Sequence, residues 1–227
     1  MRFPLISVAG SIALTQFGLG PPPPYPNYGV GPTTYHLHRG STYQSGCYGP
    51  CACALSAAET LRGTFDVRLL NIGDVTDFYG IESVNLVVPR FGGQPFNRTI
   101  TGSGTFAAGQ FPFADHQNMQ LRLSIAPATP LWANAPVTFD SDFEPRTIDP
   151  PTIDILLLSD PVGCPGVRLH LRASWFRSDW NGDGAVSLQD LFDFLADYFA
   201  GNGDYTLSGT TSVQDVFAFL DDWFGQE

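Results

Sequence analysis

The stretch VRLHLRASWFRSDWNGDGAVSLQDLFDFLADYF, residues 167–199, changes its period twice, and the two changes divide the chain. From Val167 to Phe176 apolar and polar side chains alternate, the period of a half-buried strand. From Leu188 onward large apolar residues recur at helical spacing. Between them lies a run of Asp, Asn, Gly and Ser with neither period. The boundary this implies falls at Arg177.

Toward the N-terminus the strand period recurs in TYHLH (34–38), TFDVRLL (64–70), IESVNLVV (81–88), MQLRLSI (119–125) and TIDILLL (152–158), with Gly, Pro, Asn and Asp between. Roughly six to nine short strands in residues 33–176 predict an antiparallel β-sandwich or jelly-roll-like domain. CALSAAETLRG (53–63) is the one window with helical character, and TGSGTFAAGQF (101–111) reads as a strand with glycine kinks or bulges. Ahead of the body, PPPPYPNYGVGP (21–32) predicts an extended polyproline spacer. MRFPLISVAGSIALTQFGLG (1–20) has one Arg before an apolar stretch of small residues, as in a short signal peptide, so the expected location is secreted or cell-surface. No other run is long and apolar enough for a membrane-spanning helix.

The chain holds 22 acidic residues against 11 basic ones, all Arg, for a net charge of −11. That balance argues against a nucleic-acid or anionic-membrane partner. Ten of the acidic residues, nine Asp and one Glu, fall in 177–227 beside a single Arg.

Within 177–227 the chain repeats itself. LQDLFDFLADYF (188–199) and VQDVFAFLDDWF (213–224) share seven of twelve residues. Leu191, Phe192, Leu195, Tyr198 and Phe199 make an apolar stripe, and Val216, Phe217, Leu220, Trp223 and Phe224 its equivalent. Two short amphipathic helices that bury one another are predicted. Each follows a loop rich in oxygen donors. In the first, Asp179, Asn181, Asp183, Ser187 and Asp190 take positions 1, 3, 5, 9 and 12, Ala185 can offer its carbonyl at 7, and Gly184 permits the turn at 6. A hard cation such as Ca²⁺ needs about six to eight oxygens, and ligands so spaced let one loop wrap it. In the second, Asp204, Thr206, Ser208, Thr210, Ser212 and Asp215 hold the same positions around Gly209. Its central ligands are uncharged hydroxyls, so its affinity should be lower.

Each copy is a loop followed by a helix, without the leading helix of an ordinary EF-hand. Residues 177–227 therefore resemble a dockerin domain, the type found in cellulosomal enzymes and in tails of secreted planctomycete-type bacterial proteins. The resemblance implies a fold that depends on Ca²⁺ and a protein partner, cohesin-like or another surface scaffold. It also implies that loop positions 10 and 11, Leu188 and Gln189 and then Val213 and Gln214, contribute to recognition. With Phe192 and Phe217 they make the expected partner surface, the same patch presented twice. The helices carry DFLADYF and AFLDDWF where cellulosomal dockerins commonly carry Lys and Arg.

Cys47, Cys51 and Cys53 cluster in GCYGPCAC, and Cys164 stands alone in DPVGCPGV. In an exported chain this predicts two disulfides, one local within 47–53 and one long, to Cys164, with the exact partners open. His36 and His38 share one strand face and read as its polar side. The acidic cluster Asp140, Asp142, Glu144 and Asp149 reads as a solvated loop. The chain shows no nucleophile elbow, H-E-x-x-H or phosphate loop. The opening of the body, Y-x-L-x-x-G-S-x-Y, resembles uncharacterised secreted bacterial β domains and implies no activity. The expected function is a non-enzymatic β domain carried on a Ca²⁺-dependent attachment module. One alternative is a glycan-active or carbohydrate-binding domain delivered by the tail. Another is a structural surface protein whose tail packs on its own β domain.

Overall fold

The computed structural model describes residues 31–48, 53–89, 97–110, 115–127, 136–141, 144–145, 152–159, 166–206 and 208–225. The expected leader, nearly all of the Pro-rich spacer, Cys51, Cys164, Asp142 and Asp149 lie outside these residues.

The body is mainly β. Its strands are β1 Thr33–Leu37, β2 Thr42–Gly46, β3 Glu59–Thr60, β4 Arg62–Asn71, β5 Thr76–Val88, β6 Arg98–Gln110, β7 Asp115–Ala126, β8 Val137–Asp140, β9 Glu144–Pro145, β10 Ile153–Ser159 and β11 Gly166–Ser174. Every pairing is antiparallel, in the order β1-β4-β5-β6-β7-β8-β10-β11-β2-β3, with β9 on β7. β1 also pairs with β11, His36 opposite Ser174 and Leu37 opposite Ala173, so the sheet returns on itself. Alternation along each strand drives this. On β10 and β11, Ile153, Ile155, Leu157, Val167, Leu169, Leu171 and Ala173 point inward, and Asp154, Arg168, His170 and Arg172 stay nearer solvent. One core takes in Phe65, Ile81, Leu121, Phe139, Ile155 and Leu169 from strands all round the ring. Each fully buried side chain of this size contributes on the order of 1.5–3 kcal/mol.

Two sequence expectations change here. CALSAAETLRG forms no helix: residues 53–58 are irregular, Glu59–Thr60 is β3, and Leu61, Gly63 and Phe65 enter the sheet core in alternation. The glycines of 101–111 leave β6 in unbroken register with β7 from Thr99 to Gln110. The irregularity lies across from them on β5, between Ile81 and Val84, where Ser83 has φ 51°. Glycine is required at 102 and 104 because a Cβ would stand 2.1 Å from the Arg122 carbonyl oxygen and 2.0 Å from that of Gln120.

The tail carries two helices, α1 Leu188–Phe199 and α2 Val213–Phe224. Each starts with a capping box, Ser187 with Asp190 and Ser212 with Asp215. The apolar stripe is not the expected one. Phe194 and Phe219 are fully buried, flanked by half-buried Leu191, Leu195 and Tyr198 and by Val216, Leu220 and Trp223. Phe192, Phe199, Phe217 and Phe224 are 56, 82, 67 and 66% exposed. Positions 191, 194, 195 and 198 lie on one face of a helix, and 192 and 199 lie on the next. The rings of Phe194 and Phe219 stack with centroids 4.2 Å apart, and Trp180 and Tyr205 meet both edge-on or tilted. Among the described residues no helix is long and apolar enough to cross a membrane.

Cys47 and Cys53 are joined in a disulfide, Cα–Cα 5.3 Å, which meets the expectation of a local bridge within 47–53. Gly46, the last residue of β2, pairs with Gly166, the first of β11. The oxidised chain should weigh about four hydrogens less than the reduced one, with a peptide map joining Cys51 to Cys164 as well as Cys47 to Cys53. Loss of the long bridge should lower stability by about 3–5 kcal/mol. Alkylation of Cys51 or Cys164 in the non-reduced protein would refute the second bridge.

Candidate metal centre

Both loops fold through the carboxylates at their first and last positions. Asp179 Oδ1 accepts from the amides of Gly182 (2.8 Å) and Asp183 (3.1 Å), and its Oδ2 from that of Gly184 (3.0 Å). Asp190 accepts from the amides of Asn181 (3.1 Å) and Ser187 (2.8 Å). The second loop repeats the pattern. Asp204 accepts from the amides of Ser208 (2.9 Å) and Gly209 (2.7 Å), and Asp215 from those of Thr206 (2.8 Å) and Ser212 (2.7 Å). Gly184 and Gly209 turn the chain at φ 89° and 90°, left-handed values that suit glycine. Position 9 of each loop is also the N-cap of its helix, and position 12 the third helical residue. The geometry that would gather ligands therefore also starts the helix.

The two loops differ in charge and exposure. Asp179 and Asp190 are fully buried, Asn181 and Ser187 half-buried, and Asp183 and Ala185 exposed. In the second loop Asp215 is buried and Asp204 half-buried, while Thr206, Ser208 and Thr210 are exposed. Burial pushes the Asp179 carboxyl up to about 6, with the charges of Asp190 and Asp183 adding to it against the hydrogen bonds from Gly184 and Gly182. At Asp215 burial acts in the same sense, but hydrogen bonds from Thr206 and Ser212 outweigh it and hold the carboxyl below its usual range.

Among the described residues no three His, Cys, Asp or Glu side chains converge as a ready-made metal cluster. The first loop has three carboxylates and the second only two, and the remaining ligand positions hold amide, hydroxyl or carbonyl oxygens. An all-oxygen donor set of this kind fits a hard cation and not a thiolate- or imidazole-seeking one.

The residues expected to meet a partner lie at the helix starts, facing outward. Leu188, Phe192, Val213 and Phe217 are 56, 56, 50 and 67% exposed, and Gln189 and Gln214 are exposed beside them.

The tail is also seated on the sheet, through His38, Arg39, Arg62 and Ser174. His38, just past β1, meets Ser174 Oγ through Nε2 at 2.8 Å, and that hydroxyl lies 3.3 Å from Asp179 Oδ2. All three residues are buried. Arg62 donates to the carbonyls of Asn202 and Asp204, and Arg39 lies 3.6 Å from the Asp197 carboxylate. Equivalent positions of the repeat take equivalent partners. Trp180 Nε1 donates to Asp197 (2.9 Å) and Tyr205 Oη to Asp222 (2.8 Å), while Arg177 reaches Asp222 at 3.1 Å and lies over the Tyr205 ring. A cavity of about 300 Å³ remains at the seam, lined by His36, Arg62, Arg177, Trp180, Asp197 and Tyr205 among others. The signal for this seam was the charge distribution: an acid-rich tail with one Arg needs cations from elsewhere.

Comparison of this chain with models of protein families, with curated proteins and with solved structures finds no match.

The seam should respond to pH. Burial, with Arg177 nearby, lowers His36 to about 4, against a smaller opposing effect of Asp222. An unfolded chain takes up the His36 proton near 6.5 and the folded one only near 4, so the unfolded state binds more protons between these values. The contribution of His36 to stability should be full above about pH 6.5 and fall as pH drops toward 4. His36→Asn should flatten that fall by up to about 1 kcal/mol per pH unit, measured as the difference between urea midpoints at about pH 5 and about pH 7. Equal pH dependence in both proteins would show that His36 titrates freely.

Proposed function

We propose that residues 177–227 form a dockerin-like attachment module that takes up Ca²⁺ and holds the exported β domain to a protein partner on a surface scaffold. The observation that carries this reading is the matched exposure of Leu188 with Val213 and Phe192 with Phe217, outside a core built from the equivalent pair Phe194 and Phe219. Large apolar side chains held in water at equivalent places are what a recognition surface needs.

In this reading the first loop holds the tighter cation, through Asp179, Asn181, Asp183, Ser187, Asp190 and the carbonyl of Ala185. Ca²⁺ supplies the positive charge that lets three carboxylates share one loop. The second loop, through Asp204, Thr206, Ser208, Thr210, Ser212 and Asp215, binds more weakly or serves as a turn. A second reading, in which the tail serves its own β domain, is supported by the contacts of His38, Arg39 and Arg62 with the tail. The two readings use different residues of the module and are compatible.

Calorimetric titration of the full chain should detect at least one Ca²⁺ site. Asp183→Ala removes a charged ligand and should weaken the tighter site by about tenfold or more, or about 1.4 kcal/mol. Ser208→Ala should cost less at the other. Absence of any heat of Ca²⁺ binding would end the proposal.

Attachment itself is tested against a panel of cohesin domains, with Ca²⁺ and with chelator. Wild type should bind at least one of them only with Ca²⁺. Replacing Leu188 and Val213 together by Asp should abolish capture and leave Ca²⁺ affinity unchanged. A double variant that binds as well as wild type removes the helix starts from the interface.

A further inference from the structure

We propose that the tail is the latch of the β-sheet: seating of the first loop and closure of β1 on β11 are one coupled event. The cation assigned above, by ordering that loop, would then set the closure, and this clause alone rests on the Ca²⁺ reading.

The join between β1 and β11 is short. It has two register pairs, His36 with Ser174 and Leu37 with Ala173, and beyond them the bond from His38 N to Arg172 O at 2.7 Å and the Ser41 hydroxyl, which donates to Arg172 O and accepts from Arg172 N, both at 3.0 Å. By contrast β6 and β7 pair without a break from Thr99 to Gln110. Opening free energies in a native protein are lowest where few contacts hold an element, so this join and the equally short pairing of β8 with β10 are where the ring should open most readily.

The side chains at the join look to the tail for partners. Ser174 Oγ sits between His38 Nε2 and Asp179 Oδ2, at 2.8 and 3.3 Å, with all three side chains out of water. Arg172 Nη2 reaches the Gly182 carbonyl at 3.4 Å. Gly182 lies so close that a Cβ there would stand 3.1 Å from His38 Cβ, and one on Gly184 would stand 3.1 Å from Thr152 Oγ1. If the loop lifts, this buried imidazole and hydroxyl lose the carboxylate they face, which penalises the closed join. If the join opens, Ser174 and Asp179 lose His38, and Gly182 loses the side chain it packs against. Coupling of this kind is reciprocal: whatever orders the tail must stabilise the join, and whatever weakens the join must loosen the tail.

Hydrogen exchange on the full chain, read peptide by peptide, tests the latch from both sides. Phe219→Ala unstacks the tail core; the residue meets the first loop at the Trp180 ring and is no part of the join. It should speed exchange in 33–38 and 167–174 by about tenfold relative to β5, β6 and β7. Ser174→Ala removes one hydroxyl from the join and should speed exchange in 178–190. Chelation of Ca²⁺ from wild type should reproduce the effect of Phe219→Ala. A tail that loosens in Phe219→Ala with 33–38 and 167–174 unchanged overturns the latch, as does an unchanged 178–190 in Ser174→Ala. If calorimetry finds no Ca²⁺ binding, the chelation arm falls together with the attachment reading, and the two variants still decide the latch.

Discussion

A carboxylate taken out of water must find donors, and Asp179 finds them on both sides of the boundary between sheet and tail. Three backbone amides of its own loop reach it from one side, and the Ser174 hydroxyl from the other. The amides fold the loop, and the hydroxyl ties it to the last residue of β11. Burial still works against its charge, as the upward shift of the group shows. The loop is thus held by hydrogen bonds yet short of positive charge. The cation proposed for this loop would relieve that shortage.

Charge is segregated along the chain in the same sense. The tail collects ten acidic residues and keeps one Arg, and the sheet supplies Arg39, Arg62 and Arg172 where the two meet. These arginines reach backbone carbonyls more often than carboxylates. That choice leaves Asp183, Asp190, Asp204 and Asp215 without a basic partner among the ion pairs of the described residues. Exposed pairs such as Arg39 with Asp197 add little, about 0–1 kcal/mol. The buried group at Asp179 accounts for more of the seating, because its bond to Ser174, and through it to His38, is lost if the loop lifts, while the stacked Phe194 and Phe219 hold the tail itself together.

Local order was legible because local physics dictates it. Alternation in TIDILLL and VRLHLRASWF marked β10 and β11, and the spacing of oxygens marked both loops, since those patterns act within a dozen residues. Closure of the sheet was not legible: β1 meets β11 across some 136 positions of sequence, as His38 and Ser174 do, and no period encodes such a pairing. The apolar stripe was misplaced for a different reason. Helices that are apolar on two faces, as LQDLFDFLADYF is, do not say which face goes inward. The stacking of Phe194 on Phe219 decides it only when both helices are present. His38 read as one more polar residue on a strand because its partners come from the other end of the chain.

The repeat explains how one small module can face two ways. Its internal symmetry pairs Phe194 with Phe219, Trp180 with Tyr205 and Asp197 with Asp222, and these equivalent residues fill the middle. Symmetry ends at the sheet, where only the first loop has His38 and Ser174 above its leading carboxylate. That asymmetry follows the ligands. The loop with three carboxylates is the one pressed on the sheet, and the loop with hydroxyls at its centre is the one left open to solvent. If the first loop takes up the proposed cation, it gains from a fixed floor, because ordering it once serves both the metal and the seam. The second loop, with hydroxyls between its two carboxylates, keeps its turn through Gly209 and Asp215. The free apolar pairs at the helix starts then lie outside the seated side, so seating the tail does not use up the surface that would attach it.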